Sequence, residues 1–199
     1  MKATRVHLLR HGQVEGYEAK RYNGQGDTPL TALGRQQSAA FAGRFQHQKL
    51  SAIYASDLRR CRIAADQIAL LQSVQPQYLE ELRELHVGEW EGQAWEELQR
   101  QYPELWQARL DDIVNVAPPA GENLLQLAER VRPVIRQIVS AHSGGEIVIV
   151  AHGGVNRVIL LDAIGAPLEK LFHIEQDYGC HNIIDYFIDG IAVVKKLNG

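Results

Sequence analysis

The sequence predicts a three-layer α/β/α sandwich on a mostly parallel sheet, with a small helical cap. Three observations lead there. Short apolar runs alternate with helically periodic stretches along the chain, the pattern of consecutive βα units. Two of the runs, residues 6–9 and 147–151, pass directly into a His-Gly turn, as strands do where they end at a ligand-binding crevice. An aromatic-rich stretch at residues 95–115 interrupts the alternation and is the candidate cap.

The run Val6-His7-Leu8-Leu9 reads as a buried strand ending at Gly12. Residues 17–29, rich in Gly, Asn, Gln and Asp, read as a loop, and Thr31 as the N-cap of a helix reaching about His47. Residues 51–55 form a second strand. Ser56 or Asp57 is expected to cap the helix after it, which carries Leu58, Ile63, Ala65, Ile68 and Leu71 on its buried face. Residues 77–90 fit a short strand followed by a turn centred on Gly88. Trp95, Leu98, Tyr102, Leu105 and Trp106 mark one or two helices. Pro118-Pro119-Ala120-Gly121 breaks the chain before a helix with Leu124, Leu127, Ala128, Val131, Ile135 and Ile138 on one face, in which Pro133 predicts a kink or restart. The strand at 147–151 precedes a helix through Ile164. Residues 183–187 and 191–194 close the chain as a hairpin about Asp189-Gly190.

With 199 residues, 45% of them hydrophobic, the chain is long enough for a self-sufficient core and reads as one domain over residues 1–199, its cap at about 94–120. The balance of 21 Lys+Arg against 24 Asp+Glu excludes nucleic acid and anionic membrane as the main partner. Two cysteines, Cys61 and Cys180, fit a reducing compartment better than a disulfide framework. No signal peptide or membrane span is read, so a cytoplasmic location is expected.

The two His-Gly turns carry the chemistry. If their strands are neighbours, His11 and His152 face each other across the carboxyl end of the sheet, where the helix after His152 aims backbone N–H groups at an anion. Arg10 adds a fixed charge beside His11, and Arg59-Arg60, at the start of a helix, can reach the same mouth. Such a set is a phosphate trap, because the planar guanidinium fork matches phosphate oxygens and keeps its charge at neutral pH. Taken singly these residues are unremarkable. A lone His-Gly is usually a turn, Arg59, Arg60 and Arg62 a solvated helix face, Glu84 a surface carboxylate, and Trp90, Trp95 and Trp106 core or cap packing. Their order and combination distinguish them.

That combination resembles the histidine phosphatase superfamily, which includes the cofactor-dependent phosphoglycerate mutases. Leu8-Leu9-Arg10-His11-Gly12 is similar to its Arg-His-Gly signature, and Asp27-Thr28-Pro29-Leu30-Thr31-Ala32-Leu33-Gly34 to its Asp-x-Pro-Leu-Thr-x-x-Gly. Ser56-Asp57-Leu58-Arg59-Arg60 resembles Ser-Asp-Leu-x-Arg, which puts the phosphate role on Arg60. The stretch from Leu82-Arg83-Glu84 to Gly88-Glu89-Trp90-Glu91-Gly92 resembles Leu-Arg-Glu-x-x-x-Gly-x-Trp-Glu-Gly, which puts the proton donor on Glu84. Gly121-Glu122 and Ala151-His152-Gly153-Gly154 complete the order. Two departures stand out. Val14-Glu15-Gly16-Tyr17 lacks the Asn that many members have after Arg-His-Gly, and Asn123 stands where Ser is usual. Both are expected in the substrate shell, with Asn23 or Gln25 taking over the polar contact.

The resemblance implies phosphoryl transfer to a neutral His11, with Arg10, Arg60 and His152 holding the phosphate oxygens. Glu84 protonates the leaving oxygen and then takes a proton from the hydrolytic water. Asn23, Gln25 and Gly153 are the expected substrate contacts. No metal and no cofactor are implied, and the partner is a small phosphomonoester; a homodimer is left open. The short 95–115 segment favours a phosphatase over a mutase, and residues 18–33 are most similar to α-ribazole 5′-phosphate phosphatases of cobalamin assembly. The alternatives are a phosphoglycerate mutase-like or broad-specificity sugar-phosphate enzyme, and an inactive phosphoryl-binding module, which would have no need of Glu84.

Overall fold

A computed structural model describes residues 2–199. Its strands are β1 (Thr4–Arg10), β2 (Ala52–Ser56), β3 (Pro76–Leu79), β4 (Glu146–Ala151), β5 (His181–Tyr186) and β6 (Ala192–Lys196). They form one sheet in the order β3-β2-β4-β1-β5-β6, parallel from β3 through β1, with β5 antiparallel to both its neighbours. The helices are α1 (Ala32–Phe45), α2 (Arg59–Ala69), α3 (Trp95–Gln101), α4 (Pro103–Asp111), α5 (Leu124–Ala141) and α6 (Gly153–Ala163). The expected α/β/α sandwich is therefore what forms.

The two faces of the sheet explain why residues 147–151 of its central strand β4 are apolar throughout. Ile147, Ile149 and Ala151 of β4 pack with Val6 and Leu8 of β1 against α5 and α6. The residues between them, Val148 and Val150, join Leu9 and the side chains Phe41, Phe45, Cys61 and Ile68 of α1 and α2. A parallel strand covered on both faces has no polar position to alternate with. Successive strand residues point to opposite layers, so one short run contributes to both cores.

Thr31 caps α1, its hydroxyl accepting the Gly34 N–H at 3.0 Å. Here the chain leaving β1 lies against the first turn of α1. A Cβ at Gly12 would stand 2.1 Å from the Gly34 carbonyl oxygen, and one at Gly34 would stand 2.0 Å from that of Gln13. Only glycine permits that approach.

Three local expectations are corrected. The residue preceding α2 is Leu58, not Ser56 or Asp57. The Asp57 carboxylate is held by both arms of Arg83 at 2.7 and 2.5 Å, and the N–H of Arg59 donates instead to Asp27 at 2.9 Å. Leu71 lies beyond the end of α2 and is exposed. Of the kink or restart expected at Pro133, the restart does not occur: α5 runs unbroken from Leu124 to Ala141. Pro133 and Glu129, whose carbonyl loses its helical donor, both lie on the exposed side, where water can take that place. Elsewhere the elements fall within a few residues of expectation, with the 95–115 region divided into α3 and α4 at Tyr102-Pro103.

The cap has a small core of its own. Val87, Trp90 and Leu98 are buried with Tyr22, Tyr102, Leu105 and Trp106 around them, and Trp90 stacks on Trp106 at 5.9 Å. Tyr22 joins this core to the loop over the sheet, its N–H donating to the Gln93 carbonyl. No helix among the described residues is long and apolar enough to cross a membrane.

Candidate active site

The site follows from the register of β1 and β4. Arg10 pairs with Ala151, so the next residues, His11 and His152, leave the sheet side by side, with ring centroids 5.0 Å apart. The His11 N–H donates to the Ala151 carbonyl and so holds the turn to the neighbouring strand. Its ring Nδ1 donates to the Gly12 carbonyl at 2.8 Å, which fixes the tautomer and leaves Nε2 as the free lone pair. Both rings are buried. Burial, then the charges of Arg60 and Arg10, push His11 well below the ordinary imidazole range; burial, Arg60 and His11 do the same to His152. Both are neutral at physiological pH.

Arg60 opens α2 and is 1% exposed. Its arms donate to the carbonyls of Gly26 and Gly24 at 2.6 Å each, and Nε donates to His152 Nδ1 at 3.3 Å. The Gly24–Gly26 loop is itself held from the cap side, where the Glu91 carboxylate accepts the N–H groups of Gly24 and Gln25. Arg10 lies flat on the Tyr178 ring, 3.8 Å from its centroid, and donates through Nη1 to the Gln176 carbonyl. Its Nε is buried and has no partner. Among the described residues neither Arg10 nor Arg60 forms a salt bridge. One buried guanidinium and a second whose Nε is buried and unpartnered, neither with a carboxylate, define a place for an anion.

Glu84 stands across from this pair. Its carboxylate accepts the N–H of Leu85 at 2.9 Å and that of Gly154, in the first turn of α6, at 3.0 Å. At the α6 N-terminus expected to face an anion, the Gly154 N–H is therefore already taken by the Glu84 carboxyl group. A Cβ there would come within 2.5 Å of the Glu84 carboxylate, so this glycine is required for the contact. Gly153 faces Arg10 and Arg157, its Cβ position 3.4 Å from the Arg10 guanidinium carbon and 3.3 Å from Arg157 Nη1.

The five residues expected to carry chemistry, Arg10, His11, Arg60, Glu84 and His152, are thus brought to one mouth. The substrate shell differs in detail. Gln25 donates its side-chain amide to the Glu84 carbonyl at 3.1 Å, and Asn23 accepts from the Thr28 hydroxyl. Asn123 is not in the shell: it caps α5 in a reciprocal box with Gln126 and donates to the Asn115 carbonyl. Tyr178 and Gln176 touch the site through Arg10 and carry no signal in the sequence. No group of three or more His, Cys, Asp or Glu side chains placed to hold a metal ion occurs among the described residues.

A family profile described as "Histidine phosphatase superfamily (branch 1)" matches residues 6–198. The chain belongs to the histidine phosphatase superfamily. Among curated members it is 29% identical over 194 residues to the adenosylcobalamin/alpha-ribazole phosphatase of Salmonella typhimurium, covering 98% of this chain and 96% of that one. It is 35% identical over 180 residues to a glucosyl-3-phosphoglycerate phosphatase of Mycolicibacterium vanbaalenii, covering 85% and 78%. Among solved structures, a putative alpha-ribazole-5'-P phosphatase of Escherichia coli superposes with a TM-score of 0.91 at 28% identity, covering 99% of this chain and 97% of the other.

The buried neutral histidines make stability depend on pH in a definite direction. In the unfolded chain each His takes up a proton as pH falls through about 6.5, whereas folded His11 and His152 do not until well below that. The unfolded state then binds more protons, and folding stability falls as pH drops from about 6.5, by up to about 1.4 kcal/mol per pH unit for each group. Buried His7 and His181 act in the same sense. Urea midpoints taken from pH 7.5 to 5.5 should decline, and His11→Gln should flatten the decline; a flat wild-type profile contradicts the assignment of neutral imidazoles.

Proposed function

We propose that the chain hydrolyses a phosphomonoester by way of a phosphohistidine at His11, with α-ribazole 5′-phosphate as its substrate in the assembly of the cobalamin nucleotide loop. The observation that carries the chemistry is the pairing of a neutral His11, its Nε2 free, with two arginines that have no carboxylate partner. The lone pair of Nε2 attacks phosphorus and the bond to the leaving oxygen breaks. Arg10, Arg60 and His152 hold the equatorial oxygens over which charge is spread. Glu84, on the α6 side of the mouth, gives its proton to the leaving alkoxide. Water then attacks the phosphohistidine, Glu84 takes a proton from it, and the P–N bond breaks to return the imidazole and release inorganic phosphate. The positive charge this needs is supplied by the arginines, so no step calls on a metal ion.

The substrate assignment rests on the near full-length likeness to alpha-ribazole phosphatases and on the short cap. Asn23 and Gln25 are assigned to the leaving-group side and Gly153 to the phosphate side. The second reading, a sugar-phosphate phosphatase, is favoured by the 35% identity to the glucosyl-3-phosphoglycerate phosphatase. Free, buried Cys61 and Cys180 fit a reducing compartment, and we infer a cytoplasmic enzyme.

Two measurements test this. A panel of phosphomonoesters assayed in EDTA, with His11→Ala as blank, should give the highest kcat/KM for α-ribazole 5′-phosphate. A preference for glucosyl-3-phosphoglycerate selects the second reading, and loss of all activity on chelation contradicts the metal-free mechanism. Glu84→Gln keeps the side chain's shape but cannot give up a proton, so kcat on a sugar 5′-phosphate should fall about 10²–10⁴-fold. The loss on p-nitrophenyl phosphate should be much smaller, because p-nitrophenolate departs with little need of a proton. Equal losses on both would remove the acid role from Glu84.

A further inference from the structure

Glu84 can act only if the turn beneath it is fixed, and one side chain grips that turn at three of its carbonyls. Arg130, midway along α5, has all five guanidinium N–H groups engaged. Nε and Nη2 donate to the two carboxylate oxygens of Glu122 at 2.7 and 2.8 Å. Nη1 donates to the carbonyls of Glu81 and Arg83 at 2.7 and 2.8 Å, and Nη2 to the carbonyl of Glu84 at 3.0 Å. Glu122 completes the grip: its carboxylate accepts the His86 N–H at 2.9 Å, and its own N–H donates to the His86 carbonyl at 2.7 Å. Backbone groups of residues 81, 83, 84 and 86 thus converge on one ion pair, while the Glu84 carboxyl group meets the Gly154 N–H.

The pair is mostly shielded, with the Arg130 and Glu122 side chains 21% and 19% exposed. Burial pushes the Glu122 carboxyl up, but the Arg130 bond, the His86 N–H and the Arg130 charge outweigh it and hold Glu122 below the usual carboxylate range. The counter-ion is therefore charged at neutral pH. A planar fork that reaches three carbonyls and a carboxylate together is a geometry only arginine offers; lysine has three donors radiating from one point.

We propose that Arg130, with Glu122 as its counter-ion, is the positioning residue for Glu84, holding the backbone from which that carboxyl reaches the leaving oxygen. This rests on the reading of Glu84 as proton donor. A displacement of about 1 Å at such a group costs on the order of 10²-fold in rate, and the cost falls on the step that needs the proton.

The test compares Arg130→Met, Glu122→Gln, Glu84→Gln and the double variant Arg130→Met/Glu84→Gln on ribose 5-phosphate and p-nitrophenyl phosphate, with vanadate inhibition as a measure of the phosphate pocket. Arg130→Met and Glu122→Gln should lower kcat/KM on ribose 5-phosphate about 10–10²-fold and on p-nitrophenyl phosphate by less than about threefold, with vanadate binding unchanged. The double variant should be no slower than Glu84→Gln alone. Equal losses on both substrates, weakened vanadate binding, or losses that multiply in the double variant would overturn the proposal. Should Arg130→Met fail to fold, Glu122→Gln, which preserves shape, decides by the same criteria. If Glu84→Gln shows no leaving-group dependence, the acid assignment itself fails; if it does and the Arg130 and Glu122 variants do not, only the positioning role fails.

Discussion

Parallel pairing of β1 with β4, in the register that sets Arg10 opposite Ala151, places two imidazoles 5.0 Å apart at the carboxyl end of the sheet. Everything else in the site is arranged around that pair. The pairing is secured from both layers, because β4 contributes Ile147, Ile149 and Ala151 to one core and Val148 and Val150 to the other. A one-residue slip would exchange those sets and carry His152 away from His11. The apolar runs that build the sandwich therefore also set the geometry of the reacting groups.

Electrostatics at that point depends on holding positive charge without its usual partners. Arg60 is buried against two carbonyls and an imidazole, and half-buried Arg10 rests against a carbonyl and an aromatic face. Dipoles and a ring face temper each charge without cancelling it, so an arriving phosphate meets uncompensated cations. The same charges, with burial, keep both histidines neutral. The cap takes part from a distance: Trp90 and Trp106 pack the element that carries Glu91, Glu91 holds the Gly24–Gly26 loop, and that loop's carbonyls hold Arg60.

What the sequence made legible is what local pattern determines. The strand at 147–151, buried on both faces, appears as an unbroken apolar run, Thr31 announces α1, and the two His-Gly turns mark the strand ends that meet. Arg10, His11 and His152 are readable at those ends, whereas Arg60 and Glu84 take their roles from the resemblance to the superfamily motifs. Contacts between a side chain and a distant backbone left no such trace. Asp27 caps Arg59 from another segment, which displaced the expected Ser56 or Asp57 cap. Gln176 and Tyr178 come to Arg10 from the chain ahead of β5, and Asn123 turned out to serve its own helix. Arg130 looks in sequence like any polar residue on an amphipathic helix. Only the fold reveals that its fork faces the turn bearing Glu84.

The central claim is a covalent bond between phosphorus and Nε2 of His11. Rapid acid-free quench of the enzyme during turnover of a ³²P-labelled substrate, followed by peptide mapping, tests it directly. The account predicts a base-stable, acid-labile phosphoryl group on the peptide containing His11, attached at Nε2 because Nδ1 is committed to the Gly12 carbonyl. Label on His152 or on a carboxylate, or turnover with no trapped adduct on His11, would contradict it.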